Sequence, residues 1–522
     1  MIREISRRKC LRLWLCKPEY MERTKWENRF VLLRFWKKNY MMFLKDLKRF
    51  KMERLYDKLK AYSESDFYAF HMPGHKRNKT LLGIELPYDL DITEIDGFDD
   101  LHHADGILKE EQERAARVFG AEESHFLVNG STAGILSAVM GCTHRGDKIL
   151  VARHCHKSIY HAIYMNGLVP RYVYPEFDIS MHMNGEISKE DVAKALAAEP
   201  DIKAVVIVSP NYDGVVSDVK GIAEVAHSYR IPLIVDEAHG PHFGFHPAFP
   251  GRANDLGADV VINSLHKTLP SLTQTAILHI NGKLANRRRI KKYLDMLQSS
   301  SPSYIFMASL DACVDFVDGK CEEAFELYVE RLQKFREELK PLQHLQILRT
   351  EHYDISKVVI STANANITSP ELAERLRKEY HLEMEMTGGT YVLAMTTVAD
   401  TQEGLDRLKS ALLEIDDQLE AKTAVSGSIE ISGELPRLEQ YFTPQEAADR
   451  EEDGEAEEIP WKESEGHISL EYAYLYPPGS PVIVPGERIS REAVELLCYY
   501  ETQNLQIEGI QTEGKIKVWK HE

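Results

Sequence analysis

Short, unbroken apolar runs alternate with helical stretches through the middle of the chain. From about residue 112, His125-Phe126-Leu127-Val128, Lys148-Ile149-Leu150-Val151, Ala204-Val205-Val206-Ile207-Val208, Pro232-Leu233-Ile234-Val235 and Asp259-Val260-Val261-Ile262 each read as a strand. The runs are continuous and rich in β-branched residues, so both faces of each strand are covered. Strands of that kind separated by helices predict a mostly parallel sheet in an α/β domain. Gly130-Ser131-Thr132-Ala133-Gly134 leads into a helix from Ile135. From about 345 to 420 the pattern changes to strands at 355–361 and 390–395 flanking a helix at 370–380, which predicts a smaller α+β domain. The charged stretch 449–458 reads as a linker or solvated loop, and a final helix is predicted from about Ser490.

Ligands of open α/β sheets bind beyond the carboxyl ends of the strands. Polar residues recur at that position here. Asp236 follows Val235, Ser131 comes soon after the first strand, and Ser264 to Lys267 come soon after Ile262.

The 522 residues suggest two or three domains, and an apolar fraction of 43% allows a large core. A net charge of -18 argues against nucleic-acid binding. The seven cysteines include no C-x-x-C pair, so a disulfide framework is not expected and a cytoplasmic, reducing setting fits. No run is apolar and long enough to span a membrane. Residues 1–51 are basic and aromatic, and read as an extension ahead of a natural start at Met52. The alternative is a basic amphipathic segment that touches a membrane or a partner.

The chemistry-bearing residues suit pyridoxal phosphate. That cofactor needs a lysine for its aldehyde, a carboxylate for its ring nitrogen, and small or hydroxyl residues at a helix N-terminus for its phosphate. Lys267 lies in the polar turn Asn263-Ser264-Leu265-His266-Lys267-Thr268, and Asp236 lies one strand–helix–strand unit earlier. Gly130-Ser131-Thr132 suits a phosphate, and Ser264 and His266 approach it from the other side. His156, after the strand ending at Val151, offers a flat ring. A metal site is not expected. His239, His242 and His246 are separated by Gly240, Pro241 and Gly244, which break any shared helical face, and His102-His103 beside Asp99-Asp100 reads as a solvated loop.

Several motifs resemble the Orn/Lys/Arg decarboxylases, which are fold-type I pyridoxal-phosphate enzymes. They are His71-Met72-Pro73-Gly74-His75-Lys76, Leu101-His102-His103, Asn129-Gly130-Ser131-Thr132, His154-Cys155-His156-Lys157-Ser158, Asp236-Glu237-Ala238-His239-Gly240, Ser264-Leu265-His266-Lys267-Thr268-Leu269, Ser300-Ser301-Pro302-Ser303-Tyr304 and Tyr476-Pro477-Pro478-Gly479. The resemblance spans about 55–515. It implies that Lys267 holds the cofactor covalently, that Asp236 pairs with the ring nitrogen and that His156 stacks on the ring. Ser131, Thr132, Ser264 and His266 would surround the phosphate, with Ala238 beside the cofactor. Ser299 or Ser300 would reach the phosphate of a neighbouring subunit in a homodimer or dimer of dimers. The chain looks like the shorter form of the family, without the receiver-like N-terminal domain. Ser480 stands where the family pattern has isoleucine.

On this resemblance the domains run 1–51 (extension), 52–345 (N-terminal segment and major cofactor-binding domain), 346–445 (small α+β domain) and 446–522 (C-terminal decarboxylase domain). The implied reaction turns arginine, lysine or ornithine into an amine and CO2, consuming a proton, and so serves polyamine supply or acid tolerance. Asp96, Asp99 and Glu471 are candidate anchors for the substrate's distal cation. Other readings are an aminotransferase or carbon–carbon lyase, whose carboxylate anchor is not obvious here because Arg375 and Arg377 read as part of a solvated helix face, and a cofactor-binding paralogue without turnover.

Overall fold

The computed structural model describes residues 54–178, 183–421, 434–475, 479–502 and 507–520. The basic segment 1–51 and Tyr476-Pro477-Pro478 lie outside the described residues. Seven strands form the large sheet: β1 (Glu123–Leu127), β2 (Lys148–Ala152), β3 (Val169–Val173), β4 (Val205–Val208), β5 (Leu233–Asp236), β6 (Val260–Asn263) and β7 (Ala276–Ile280). Their order is β1-β7-β6-β5-β4-β2-β3. The pairs β2–β3, β2–β4, β4–β5 and β5–β6 are parallel, and β7 runs antiparallel to both its neighbours. Strands β4 to β7 are buried along their whole length, as the apolar runs of β4, β5 and β6 require.

Two strands were not legible in the pattern. β3 is an edge strand, half exposed and carrying Pro170, which an edge tolerates because one side of its ladder is open. β7 is interrupted by His279, whose ring is buried and bonded at 2.7 Å to the hydroxyl of Ser124 on β1.

Helix α1 (Gly130–Cys142) is apolar on nearly every side, because the sheet covers one face and α3 (Arg287–Leu297) covers another. Gly141 permits that close approach. A Cβ there would stand 2.8 Å from the Ile290 Cα and 2.9 Å from its amide nitrogen, which are backbone atoms. Between them in sequence, α2 (Lys157–Met165) follows β2.

A second, antiparallel sheet has the order β8-β9-β11-β10, from β8 (Gln346–Leu348), β9 (Lys357–Ser361), β10 (Met386–Thr387) and β11 (Tyr391–Met395). It contains the two strands expected at 355–361 and 390–395. The helix expected between them spans Ser369–Tyr380 and starts at a capping box of Thr368 and Glu371.

The stretch 449–458 is not a linker. Its first part ends the helix Pro444–Glu452, which Thr443 and Glu446 cap reciprocally, and its last part begins the strand Ala456–Pro460, paired with Lys515–Trp519. Asp449, Glu452, Glu457 and Glu458 sit on exposed positions of the helix and the strand, and Arg450 pairs with Glu455 at 3.2 Å across the turn between them. Fully buried Arg153, just past β2, donates from Nη2 to Glu487 Oε2 at 2.8 Å and to the Val482 carbonyl at 2.9 Å. Among the described residues no helix is long and apolar enough to cross a membrane.

Two stability measurements follow from these contacts. Gly141→Ala should destabilise folding by about 1–3 kcal/mol, because the α3 backbone cannot swing aside. Glu487→Ala leaves the Arg153 charge buried without its carboxylate, and should cost about 3–5 kcal/mol. Chemical denaturation of each variant reads both; wild-type midpoints would contradict the packing and the ion pair respectively.

Candidate active site

The carboxyl ends of the parallel strands converge on a cavity of about 370 Å³. Asp236 is the last residue of β5, and Lys267 lies in the single helical turn Leu265–Thr268 after β6. Their strands are neighbours, with Asp236 paired to Ile262 in register. His156 follows β2, Ser131 and Thr132 open α1 after β1, and all of these residues line the cavity together with Ala238 and His266.

Asp236 is 3% exposed. Its Oδ1 accepts the Ala238 N–H at 3.2 Å, and no cation stands within ion-pair distance among the described residues. Burial pushes its carboxyl upward, and the Lys267 ammonium opposes that shift. Burial likewise lowers the Lys267 amine, with Asp236 opposing and the Lys357 charge adding to the depression. The Lys267 Nζ lies 2.8 Å from His239 Nε2 and 5.9 Å from the centre of the Tyr212 ring. The Tyr212 and His239 rings are 4.5 Å apart.

His156 is fixed as the N-cap of α2. Its Nδ1 accepts the Ser158 N–H at 3.2 Å and lies 2.9 Å from the Ser158 hydroxyl. A nitrogen that accepts an N–H carries no proton, so the proton of the neutral ring sits on Nε2. Burial and the nearby Lys267 charge hold the His156 pKa down at about 4.

At the other end of the cavity Gly130 has φ +73, which lets the chain turn sharply into α1. The N-cap Asn129 makes no side-chain cap; its Oδ1 accepts the Ser299 N–H at 3.1 Å instead. The first N–H groups of α1 are therefore left to an anion. His266 Nδ1 donates to the Thr275 carbonyl at 2.9 Å, which leaves Nε2 for a ligand. The Ser264 hydroxyl, fully buried at the N-cap of the turn carrying Lys267, finds no partner among the described residues, and it stands behind the residues that line the cavity.

These observations fit pyridoxal phosphate. An amine of lowered basicity suits an aldehyde, a buried carboxylate without a cation suits a protonated ring nitrogen, and an uncapped helix N-terminus with an unsatisfied hydroxyl suits a phosphate.

Other expected residues lie elsewhere. Ser299 and Ser300, expected at a neighbouring subunit's phosphate, are exposed outside this chain's own cavity, as a residue serving another subunit would be; the Ser299 carbonyl accepts from His102 Nε2 at 2.8 Å and its hydroxyl donates to the Ser301 carbonyl at 3.2 Å. Asp96, Asp99 and Glu471 do not line it either. Asp99 takes the N–H groups of Asp100, Asp105, Gly106 and Leu108, which holds its carboxyl below the usual range against burial, and Asp96 borders a separate cavity beside it. Glu471 accepts from the Gln511 and Lys517 amides. The Asp99 and Glu471 carboxylates tie down backbone instead of facing the cavity.

His239, His242 and His246 face three different partners, namely Lys267, Asp354 and Glu326. Arg375 bonds Glu379 and Gln418, Arg377 is exposed, and no arginine lines the cavity among the described residues.

Sequence reasoning missed Asn211, Tyr212 and Asp213, which line the cavity after β4. The signal was available, since they follow a buried strand as Asp236 does. Ser480, which lines the cavity and donates to the His154 carbonyl at 2.8 Å, arrives from the distant tail and left no such signal.

The Orn/Lys/Arg decarboxylase major domain matches residues 53–371, and the C-terminal domain of the same family matches 433–514. An arginine decarboxylase of Bacillus subtilis (strain 168) is 33% identical over 471 residues, covering 87% of this chain and 95% of the relative. Lysine decarboxylase LdcA of Pseudomonas aeruginosa is 25% identical, covering 83% and 73%. In structure, the constitutive lysine decarboxylase of E. coli superposes with a TM-score of 0.77 at 22% identity over 89% of this chain and 82% of that one, which shows a shared fold. With its sheet, its cavity and these matches in view, the chain belongs to the Orn/Lys/Arg decarboxylase family, as a fold-type I pyridoxal-phosphate decarboxylase.

Proposed function

We propose that this decarboxylase takes arginine as its preferred substrate and releases agmatine and CO2, with Lys267, Asp236 and His156 as the groups that carry the cofactor chemistry. The observation that supports the roles is the joint placement of Lys267, Asp236 and the uncapped α1 N-terminus around one cavity. Arginine is favoured because relatives named arginine decarboxylase reach 32–33% identity, against 23–25% for those named lysine decarboxylase.

Bound pyridoxal phosphate supplies the electron sink into which the Cα–carboxylate bond breaks. Lys267 would hold its aldehyde, Asp236 its ring nitrogen, and Ser131, Thr132, Ser264 and His266 its phosphate. His156, kept neutral and fixed by Ser158, gives a flat face against the ring without adding charge. The N-cap geometry of His156 and the turn that carries Lys267 orient these groups before substrate arrives, which is the protein's contribution to rate. Loss of CO2 leaves Cα in need of one proton. The hydrogen-bonded pair of Lys267 Nζ and His239 Nε2 keeps an exchangeable proton at that end of the cavity. Net, one proton is taken up per amine formed, which suits amine supply or acid tolerance.

A homodimer in the cytoplasm completes the proposal. Large apolar side chains lie exposed along 67–86, among them Phe70 at 89% and Leu81 at 74%, as a surface awaiting a partner would show. The five cysteines among the described residues are free thiols, which fits a reducing compartment.

Two measurements test this reading. With added pyridoxal phosphate, the protein should release CO2 and agmatine from arginine with a higher kcat/KM than from lysine or ornithine. Lys267→Ala should lower kcat by several orders of magnitude. Activity on none of the three would leave a cofactor-binding paralogue, and a fully active Lys267→Ala would remove the lysine from its role. The second measurement concerns pH. His154 and His156 are both held at about 4 by burial, whereas an unfolded histidine titrates near 6.5. Below that value the unfolded chain takes up protons that the folded chain refuses. Their contribution to stability is therefore complete above about pH 7 and is lost as pH falls from about 6.5 through about 4. The Tm of the cofactor-free protein should drop over that window, and drop less in His154→Asn; equal drops would contradict the neutral, buried ring.

A further inference from the structure

Among the described residues two carboxylates line the Lys267 cavity, Asp236 and Asp213. The ring nitrogen of the cofactor accounts for Asp236. Asp213 is 7% exposed and, among the described residues, accepts one hydrogen bond, from the Tyr391 hydroxyl on β11. No cation stands within ion-pair distance of it among the described residues. Burial lifts its pKa to about 6 while the Tyr391 hydroxyl pulls the other way. A buried carboxylate with one neutral donor is costly unless a cation joins it.

The position is held firmly. Asn211 Oδ1 accepts the amide of Gly214 at 3.0 Å and that of Val215 at 2.9 Å, which closes a tight turn around Asp213 directly beyond β4. A rigid turn on one side and Tyr391 from the second sheet on the other leave the carboxylate little freedom to swing out to water. Glu385 is the other acid close by, but it is exposed, bonds the Tyr212 hydroxyl and does not line the cavity.

We propose that Asp213 receives the side-chain cation of the substrate and so selects basic amino acids. The substrate's α-amine belongs at the Lys267 end, and a flexible basic side chain then brings its guanidinium or ammonium to the one cavity carboxylate that the cofactor does not use. A charge-assisted hydrogen bond there satisfies both groups, and a neutral side chain of the same length would leave Asp213 uncompensated. This rests on the decarboxylase reading for the identity of the cation, while the unmet carboxylate stands on the geometry of the cavity.

The test is equilibrium binding of product amines and their neutral counterparts to the cofactor-loaded protein, by calorimetry. Agmatine is compared with N-carbamoylputrescine, in which a urea replaces the guanidinium, and cadaverine with 5-aminopentanol. Wild-type protein should favour the charged member of at least one pair by a factor on the order of thirty or more. Asp213→Asn, in which the Tyr391 hydroxyl still finds an oxygen to donate to, should collapse that preference to within about threefold while keeping the visible absorbance of bound cofactor. Should that variant fail to fold, Asp213→Ser carries the same expectation. A preference that survives the loss of Asp213, that is absent in wild type, or that Glu385→Gln removes instead overturns the proposal. The decarboxylase reading fails on a different result, namely no CO2 from arginine, lysine or ornithine with the wild-type protein.

Discussion

Burial of a carboxylate and an amine at the ends of two adjacent parallel strands is the constraint around which the rest is arranged. Neither Asp236 nor Lys267 is comfortable alone. Burial raises the first and lowers the second, and each partly reverses the shift of the other. A cofactor with a protonated ring nitrogen and an aldehyde relieves both at once. The distance between the two groups is set by sheet register, since Asp236 pairs with Ile262 only a few residues before Lys267. A slip of one residue in β5 would turn Asp236 to the other face of the sheet.

The cavity is finished by parts of the chain that are far apart in sequence. From the second sheet, Tyr391 donates to Asp213, and fully buried Lys357 lies between Asp354 Oδ2 at 3.3 Å and the His239 carbonyl at 3.5 Å. From the tail, Glu487 holds Arg153 and Ser480 holds the His154 carbonyl, which together fix the loop that ends in His156. The tail is thus a structural support of the loop that brings His156 to the cavity. That connects the family's C-terminal match to the chemistry of the major domain.

Much of this was legible in the sequence. Unbroken β-branched runs announced the buried parallel strands, and the rule that ligands gather past their carboxyl ends pointed to Asp236, Lys267, Ser131 and His156. The same rule, applied to the run ending at Val208, reaches Asp213, five residues beyond it. What stayed hidden has physical causes. Strand β3 is half exposed and holds a proline, β7 buries a polar histidine, and the 449–458 charges lie on the outer faces of a helix and a strand. Ser480 reaches the cavity, and Tyr391 reaches Asp213 on its wall, only through tertiary packing, which no local pattern encodes.

The most direct test of the central claim is chemical trapping of the lysine. Protein loaded with pyridoxal phosphate is reduced with borohydride, digested, and its peptides are mapped by mass spectrometry. The account predicts a phosphopyridoxyl mass on the peptide containing Lys267, and its disappearance from that peptide in Asp236→Ala protein at limiting cofactor. Stoichiometric label on another lysine, with Lys267 unmodified, would contradict it.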